Sequence, residues 1–320
     1  VCVVGAGAIG SLYAGHLGGV VEVAIVTRRR EHADQLNANG LRISGKTQRL
    51  TRVKASTIPS QLGDMDLVII ATKANDVANG AKGLSGQFPG ALFMTVQNGL
   101  GCEELVSAHG DWPIISAVTF MSGIRHSDTH VEYELDTDTW MGPWAPGQAT
   151  FDDANLVAGL LRKAGLKARA FSDLLPAQWS KLIFNAVINS VAALTDLPHV
   201  KAYAERERES DLGHLVFAMI EEGKRVAAAR NVTLYEDPWE MNVHAVGHGQ
   251  TAMADYAHIP SMLNDVRARR PTEIDWITGA VVREGAKLGV PVPINETLYR
   301  LVKARESGWR MKYSGREEES

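Results

Sequence analysis

The sequence predicts an α/β half built on a parallel sheet, followed by an all-α half, on three observations. Short apolar runs alternate with helical or loop segments through the first half of the 320 residues, the pattern of strands joined by crossover helices. A glycine-rich turn, Gly5-Ala6-Gly7-Ala8-Ile9-Gly10, sits between the first apolar run and the first helical pattern. From about Pro176 the strand signals give way to long apolar-periodic stretches.

In chain order, the candidate parallel strands are Val1–Val4, Val21–Val26, Asp66–Ala71, Ala91–Val96 and Ile114–Thr119. The segments Val131–Leu135 and Thr139–Gly142 alternate more and are expected as an antiparallel edge added to the same sheet. Asp152–Ala164 reads as an amphipathic helix and Lys167–Phe171 as a last strand. Helices are then expected over 177–194, 210–229, 251–268 and 273–288, and the tail from Ser314 is expected to fray. The break falls near 172–176, dividing the chain into 1–172 and 173–320. The chain opens almost inside a strand and without Met, so a few residues are expected to precede it.

Composition narrows the function classes. With 45% hydrophobic and 22% charged residues the chain is ordinary for a globular protein. A net charge of −4 offers no basic field for nucleic acid or an anionic membrane. Two cysteines, Cys2 and Cys102, make neither a disulfide framework nor a thiolate zinc site, and suit a reducing, cytoplasmic compartment. Residues 1–21 lack any Asp, Glu, Lys or Arg, which superficially suggests a membrane span. Six glycines lie within that stretch, and no basic leader is expected before it. It therefore reads as a strand, a phosphate loop and a close-packed helix.

In such a loop the first glycine permits a tight turn, the second lets backbone approach a pyrophosphate, and the third allows close helix–strand packing. The helix N-terminus behind it offers unpaired N–H groups to the anion. Gly5, Ala6, Gly7, Ala8, Ile9 and Gly10 are thus the candidate dinucleotide loop of a Rossmann-type domain. An NAD site would place an acid at the end of the second strand, to hold the ribose 2′-hydroxyl. Here Val26-Thr27 runs into Arg28-Arg29-Arg30, which suits the 2′-phosphate of NADP. The bland alternative for this run is a solvated basic loop.

The helical half holds a second constellation, in Trp179-Ser180-Lys181-Leu182-Ile183-Phe184-Asn185-Ala186-Val187-Ile188-Asn189. Spacings of four lay Lys181, Asn185 and Asn189 along one face, drifting by about 40° per step. Their neighbours are apolar, so these polar groups are expected to be buried and to need partners. Whether another helix, water or a ligand supplies them is open on pattern alone. Further on, Asp265 and Arg269 have the spacing of a helical ion pair. Ser261 reads as a cap, and Pro271 as a break that leaves Glu273 in the opening turn of the next helix. His244, His248 and His258 have no carboxylate or cysteine spacing that would make them a metal site.

The chain resembles the ketopantoate reductase family from end to end. The stretches that match are GAGAIG at 5–10, ATK at 71–73, QNGLG at 97–101, WSKLIFNAVIN at 179–189 and PSMLNDVRARRPTEID at 260–275. The resemblance implies a helical domain like that of 6-phosphogluconate dehydrogenase behind the NADP-binding domain. It implies NADPH-dependent reduction of a small 2-oxo acid, with Lys181 as proton donor and Glu273 as an active-site acid that touches cofactor or substrate. It makes Asn98, Asn185, Asn189 and Ser261 substrate contacts. It makes Arg28, Lys73, Asn98 and the backbone at Ser122 and Gly123 cofactor contacts. A homodimer enters by the resemblance alone. Two places depart from the pattern: Asn189-Ser190-Val191-Ala192, followed by Pro198-His199, and His258 ahead of the Ser-Met-Leu motif. Both border the substrate in the family, so a reductase of another branched 2-oxo acid stays open. So does a dinucleotide-binding sensor without catalysis.

Overall fold

The structure is a computed structural model that describes residues 1–206, 211–247 and 258–309. It divides into two compact units, Val1–Gln97 with Gly101–Leu175, and Asn98–Leu100 with the described residues from Pro176 onward.

The first unit is α/β. Its main sheet has eight strands: β1 (Cys2–Val4), β2 (Ala24–Val26), β5 (Lys54–Ser56), β6 (Leu67–Ile70), β7 (Leu92–Thr95), β8 (Ile114–Thr119), β11 (Thr139–Pro143) and β12 (Ala168–Ala170), in the order β12-β11-β8-β7-β6-β1-β2-β5. The six strands from β5 to β8 are mutually parallel. β11 adds antiparallel to β8, and β12 lies beyond it, parallel to β11. β6 and β8 are buried along their whole length, which is why they read as unbroken apolar runs.

A second sheet, absent from the sequence reading, orders β4 (Arg49–Thr51), β3 (Leu41–Gly45), β10 (His130–Leu135) and β9 (Ser122–Arg125). This corrects the expectation for Val131–Leu135. The segment does not extend the main sheet; it pairs parallel with β3 and antiparallel with β9. Alternation reports that one face is buried, and is silent about which sheet buries it.

The small sheet explains the uncharged N-terminus. Helix α1 (Ala8–Leu17) is buried from Gly10 to Leu17, because β1 lies against it on one side and all four strands of the small sheet on the other. A helix covered all round is apolar all round. A Cβ on Gly15 would stand 2.5 Å from Ile43 Cδ1, so glycine there lets the small sheet close onto the helix. Tyr13, wholly buried, places its hydroxyl 2.9 Å from Thr139 Oγ1 and ties the helix to β11. Between the units of secondary structure, α2 (Arg30–Asn39), α3 (Val77–Lys82), α4 (Cys102–Ser107) and α5 (Phe151–Lys163) complete the layer. Helix α5 opens with a reciprocal cap, in which Thr150 Oγ1 accepts from Asp153 N–H and Asp153 accepts from Thr150 N–H.

The second unit is helical: α6 (Leu175–Thr195), α7 (Asp211–Ala229), α8 (Pro238–Gly247), α9 (Ser261–Arg267), α10 (Thr278–Leu288) and α11 (Pro293–Gly308). Two of these, α8 and α11, have no counterpart in the sequence reading. Of the stretch expected over 251–268, residues 251–257 lie outside the described residues, as do His248 and the tail from Ser314. Buried polar groups dock the helices on one another. Thr278 Oγ1 donates to Ala186 O at 3.1 Å and lies 2.6 Å from Ser190 Oγ, joining α10 to α6. The Glu222 carboxylate, 2% exposed, accepts the N–H groups of Ile294 and Asn295 at 3.0 and 2.9 Å, and so fastens the start of α11 to α7. No helix among the described residues is long and apolar enough to cross a membrane.

Three local expectations need correction. Asp265 pairs with Arg270 at 3.1 Å and not with Arg269, because α9 ends before Arg269, whose φ of 49° turns the chain. The residue at the N-cap of α9 is Pro260, and Ser261 is the first helical residue. Glu273 is not in the opening turn of α10, which begins at Thr278; it starts a separate turn whose carbonyl accepts from Trp276 and Ile277 N–H.

Gly10 sets a test of how α1 meets β1. A Cβ there would lie 2.0 Å from the Gly5 carbonyl oxygen, whereas a Cβ on Gly7 meets nothing within 4 Å. Gly10→Ala is expected to destabilise the α/β unit by about 3 kcal/mol. Gly7→Ala should melt with the wild type. Calorimetric melting of both proteins checks the contrast, and equal melting temperatures would contradict this packing.

Candidate active site

In the first unit the candidate dinucleotide loop lies between β1 and α1, at the carboxyl end of the parallel strands. Gly5 takes φ +99° and donates its N–H to Val26 O at 2.9 Å, which ties the loop to the end of β2. Gly7 is the N-cap of α1, with extended backbone and no side chain capping the first turn. The first-turn N–H groups of α1 therefore have no side-chain acceptor, beside the open space over Gly7. That is the cradle a pyrophosphate needs, and a Cβ at Gly7 would begin to fill it.

The three consecutive arginines, equivalent in sequence, are sorted by their surroundings. Arg29 donates to Asp128 Oδ1 at 2.6 Å, and Arg125 binds the same carboxylate at 2.9 Å. Arg30 opens α2 and lies 3.9 Å from Asp34. The Arg28 side chain is 84% exposed, with one nitrogen 3.5 Å from Asp76 Oδ2. Arg28 and Arg30 are thus the cations presented outward at the end of β2, while Arg29 anchors the hairpin that joins β9 and β10.

Lys73 is exposed and precedes a short 3-10 turn, Ala74–Asp76, after β6. Gly123, on β9, packs closely: a Cβ there would approach Glu132 O at 2.6 Å and Leu12 Cδ1 at 3.1 Å. Neighbouring Ser122 donates to Glu134 at 3.3 Å. Gln97 is a residue that sequence reasoning missed, although it lies inside the QNGLG stretch. Its amide donates to Ile70 O and Thr72 O at 2.7 and 2.9 Å, linking the ends of β7 and β6. Asp76 was missed as well, and nothing in the sequence marks it out from other turn acids.

In the second unit, α6 carries Lys181, Asn185 and Asn189 on one face, as their spacing requires. A chain of hydrogen bonds runs along the two asparagines. Asn98 Oδ1 accepts from Asn185 Nδ2 at 3.3 Å, Asn185 O accepts from Asn189 Nδ2 at 3.0 Å, and Asn189 Oδ1 accepts from Met262 N–H at 3.3 Å. Asn189 therefore satisfies an N–H in the first turn of α9, one residue past Ser261, whose own side chain is exposed. Segment Asn98–Leu100 rests on the turn that holds Glu273. Leu100 N–H donates to Trp276 O at 3.1 Å, and a Cβ on Gly99 would lie 2.1 Å from that oxygen.

Lys181 is 5% exposed and Glu273 6% exposed. Burial pushes the Lys181 ammonium down to about 7, and the negative charge of Glu273 partly offsets this. An amine so placed is half protonated near neutral pH and well matched to proton transfer. His199, at the family departure, is 1% exposed and 2.8 Å from Asn242 Oδ1; burial drives it down to about 4, so it stays neutral. Its backbone exchanges two hydrogen bonds with His258, at 2.8 and 3.1 Å. No group of metal-ligating residues occurs among the described residues.

The family described as ketopantoate reductase PanE/ApbA matches residues 1–146, and its C-terminal part matches residues 173–306. A 2-dehydropantoate 2-reductase of Archaeoglobus fulgidus is 30% identical over 96% of this chain and 97% of its own. The crystal structure of a PanE/ApbA family ketopantoate reductase from Ralstonia eutropha superposes with a TM-score of 0.84 at 26% identity, covering 97% of this chain and all of the other. A D-mandelate dehydrogenase with NADH and anilino(oxo)acetate shares the fold, with a TM-score of 0.84 at 23% identity over 97% of this chain and 100% of its own.

The depressed ammonium makes stability depend on pH in a definite direction. A lysine at about 7 when folded and 10.5 when unfolded contributes its full stability above 10.5 and loses it as pH falls through about 7. The melting temperature should rise between about pH 6 and about pH 9 by more in the wild type than in Lys181→Met. Parallel pH curves for the two proteins would show that the amine is not buried in this way.

Proposed function

Because the chain belongs to the ketopantoate reductase family, a family of oxidoreductases, we propose that it reduces 2-dehydropantoate to pantoate with NADPH. The observation that supports this most is Lys181, a buried amine at about 7 within the field of a buried carboxylate, Glu273.

The residues at the amino end of α1 fit a dinucleotide. Gly5, Ala6, Gly7, Ala8, Ile9 and Gly10 would hold the pyrophosphate through backbone N–H groups, and Arg28 would meet the 2′-phosphate. Lys73, Asn98, Gly123 and Glu273 are the further cofactor contacts in this reading. When bound, the nicotinamide supplies the hydride that reduces the C2 carbonyl of the substrate. As charge develops on the carbonyl oxygen, the Lys181 ammonium stabilises it and passes over a proton from Nζ. Glu273 keeps a useful fraction of Lys181 protonated at neutral pH, because its charge opposes the effect of burial. The side chains of Asn98, Asn185, Asn189 and Ser261 orient the acid, and the Glu273 carboxylate accepts from the substrate's terminal hydroxyl.

A second reading, reduction of another branched 2-oxo acid, is favoured by His199 and His258, which stand where the family pattern differs. A sensor without catalysis would have no use for a buried amine, whose burial costs stability.

NADPH oxidation across a panel of 2-oxo acids tests the assignment. 2-Dehydropantoate should give the highest kcat/KM, and its defeat by 2-oxoisovalerate would favour the second reading. Lys181→Ala should cut turnover by about two to four decades and leave NADPH binding, read by fluorescence titration, intact. In the wild type, reduction should slow as pH rises through about 7, because the ammonium is the proton donor. Arg28→Ala should raise KM for NADPH by about tenfold or more and leave KM for NADH nearly unchanged. Equal losses with both cofactors would remove Arg28 as the discriminator.

A further inference from the structure

We infer that Asp76 is a specificity-determining residue that competes with the cofactor's 2′-phosphate for Arg28 and thereby limits the preference for NADPH over NADH. This deepens the NADPH reading above and rests on it.

The placement follows from the order of the sheet. Strand β1 is flanked by β2 on one side and β6 on the other, all three parallel. The turn after β2 brings Arg28 and the turn after β6 brings Asp76. The two side chains therefore approach one another past the exit of β1, where the Gly5–Gly10 loop begins, and come to 3.5 Å. At this distance the contact is a weak hydrogen bond at best, and both groups are open to water, with side-chain exposures of 84% and 46%. A weak, solvated pair exchanges partners readily.

A dianionic 2′-phosphate arriving at Arg28 is repelled by the single negative charge of the Asp76 carboxylate that lies beside the guanidinium. A ribose with a free 2′-hydroxyl meets no such repulsion. The remaining charges do not relieve it. Arg29 is committed to Asp128, which it shares with Arg125, and Arg30 lies beside Asp34. Within the Arg28–Arg30 run, each cation thus has a carboxylate within 4.0 Å, so the site presents less positive charge than its sequence suggests.

The test is a double-mutant cycle on the full-length protein, with Asp76→Asn, Arg28→Ala and both together. Calorimetric titration with adenosine 2′,5′-bisphosphate and with 5′-AMP reads binding without turnover. Asp76→Asn is expected to tighten the bisphosphate by about three- to fivefold and leave 5′-AMP within error. The gain should vanish in the Arg28→Ala background and shrink in about 0.5 M salt. The NADPH-to-NADH ratio of kcat/KM should rise by the same factor. Equal tightening of both nucleotides, a gain that survives Arg28→Ala, or weaker binding of the bisphosphate would each overturn the proposal. If Arg28→Ala alone leaves the bisphosphate affinity unchanged, the NADPH reading itself fails, and the proposal with it.

Discussion

An amine held away from water in the helical unit constrains much of what surrounds it. Lys181 sits in a 21-residue helix whose neighbours are almost all apolar, and a charged group in such a place is stable only near a compensating charge. Glu273 provides it from a non-helical turn, and that turn is braced on both flanks by α11. Thr272 donates its N–H and its hydroxyl to Glu306 at 2.7 and 2.6 Å. Asp275 accepts from Tyr299 Oη at 2.7 Å and from Lys303 Nζ at 2.8 Å. Trp276 O in the same turn supports the segment that presents Asn98. Helix α11 thus fixes the turn on which two of the candidate site residues, Glu273 and Asn98, depend. Glu222 in turn fixes the start of that helix.

The α/β unit obeys a second constraint, the close approach of α1 to strands on two sides. Glycine at position 10 lets the helix meet the Gly5 carbonyl, and glycine at 15 lets the small sheet meet the helix. With both faces covered, α1 leaves no room for a charge from Gly10 to Leu17, and the stretch that imitates a membrane segment is a strand and a helix enclosed within the unit. At the N-terminus of the helix Gly7 is exposed, and a helix N-terminus is where an anion is best received.

Parallel strands buried on both faces, and a helix bounded by a glycine loop, are legible because each is a run of one residue class with sharp ends. The α/β and helical halves were readable for that reason. The small sheet was not, because β3, β4 and β9 run for only three to five residues and β9 buries none of its own, so no period stands out. Helix α11 escaped because its polar face outweighs its apolar one, with only Asn295, Leu298 and Val302 buried. At the candidate site, the shared face of Lys181, Asn185 and Asn189 follows from spacing alone. Their partners do not: Met262 is 73 residues from the Asn189 amide that it pairs with, and only the folded chain brings them together. The arginine run shows the same limit, since three identical side chains are told apart by Asp76, Asp128 and Asp34, two of which lie far along the chain.

Placing the countercharge on a separate turn has a chemical consequence. A carboxylate one helical turn from Lys181 on α6 itself would form an intimate ion pair and hold the amine near its ordinary value, unable to give up a proton at neutral pH. No carboxylate at all would leave burial unopposed and the amine neutral, with no proton to give. Glu273 acts on Lys181 through its charge, and burial remains the larger influence, so the balance falls near 7. The distance between α6 and the braced turn is therefore a chemical parameter as well as a packing one. A change in α11 that let the turn shift would alter the protonation of Lys181 through the charge of Glu273.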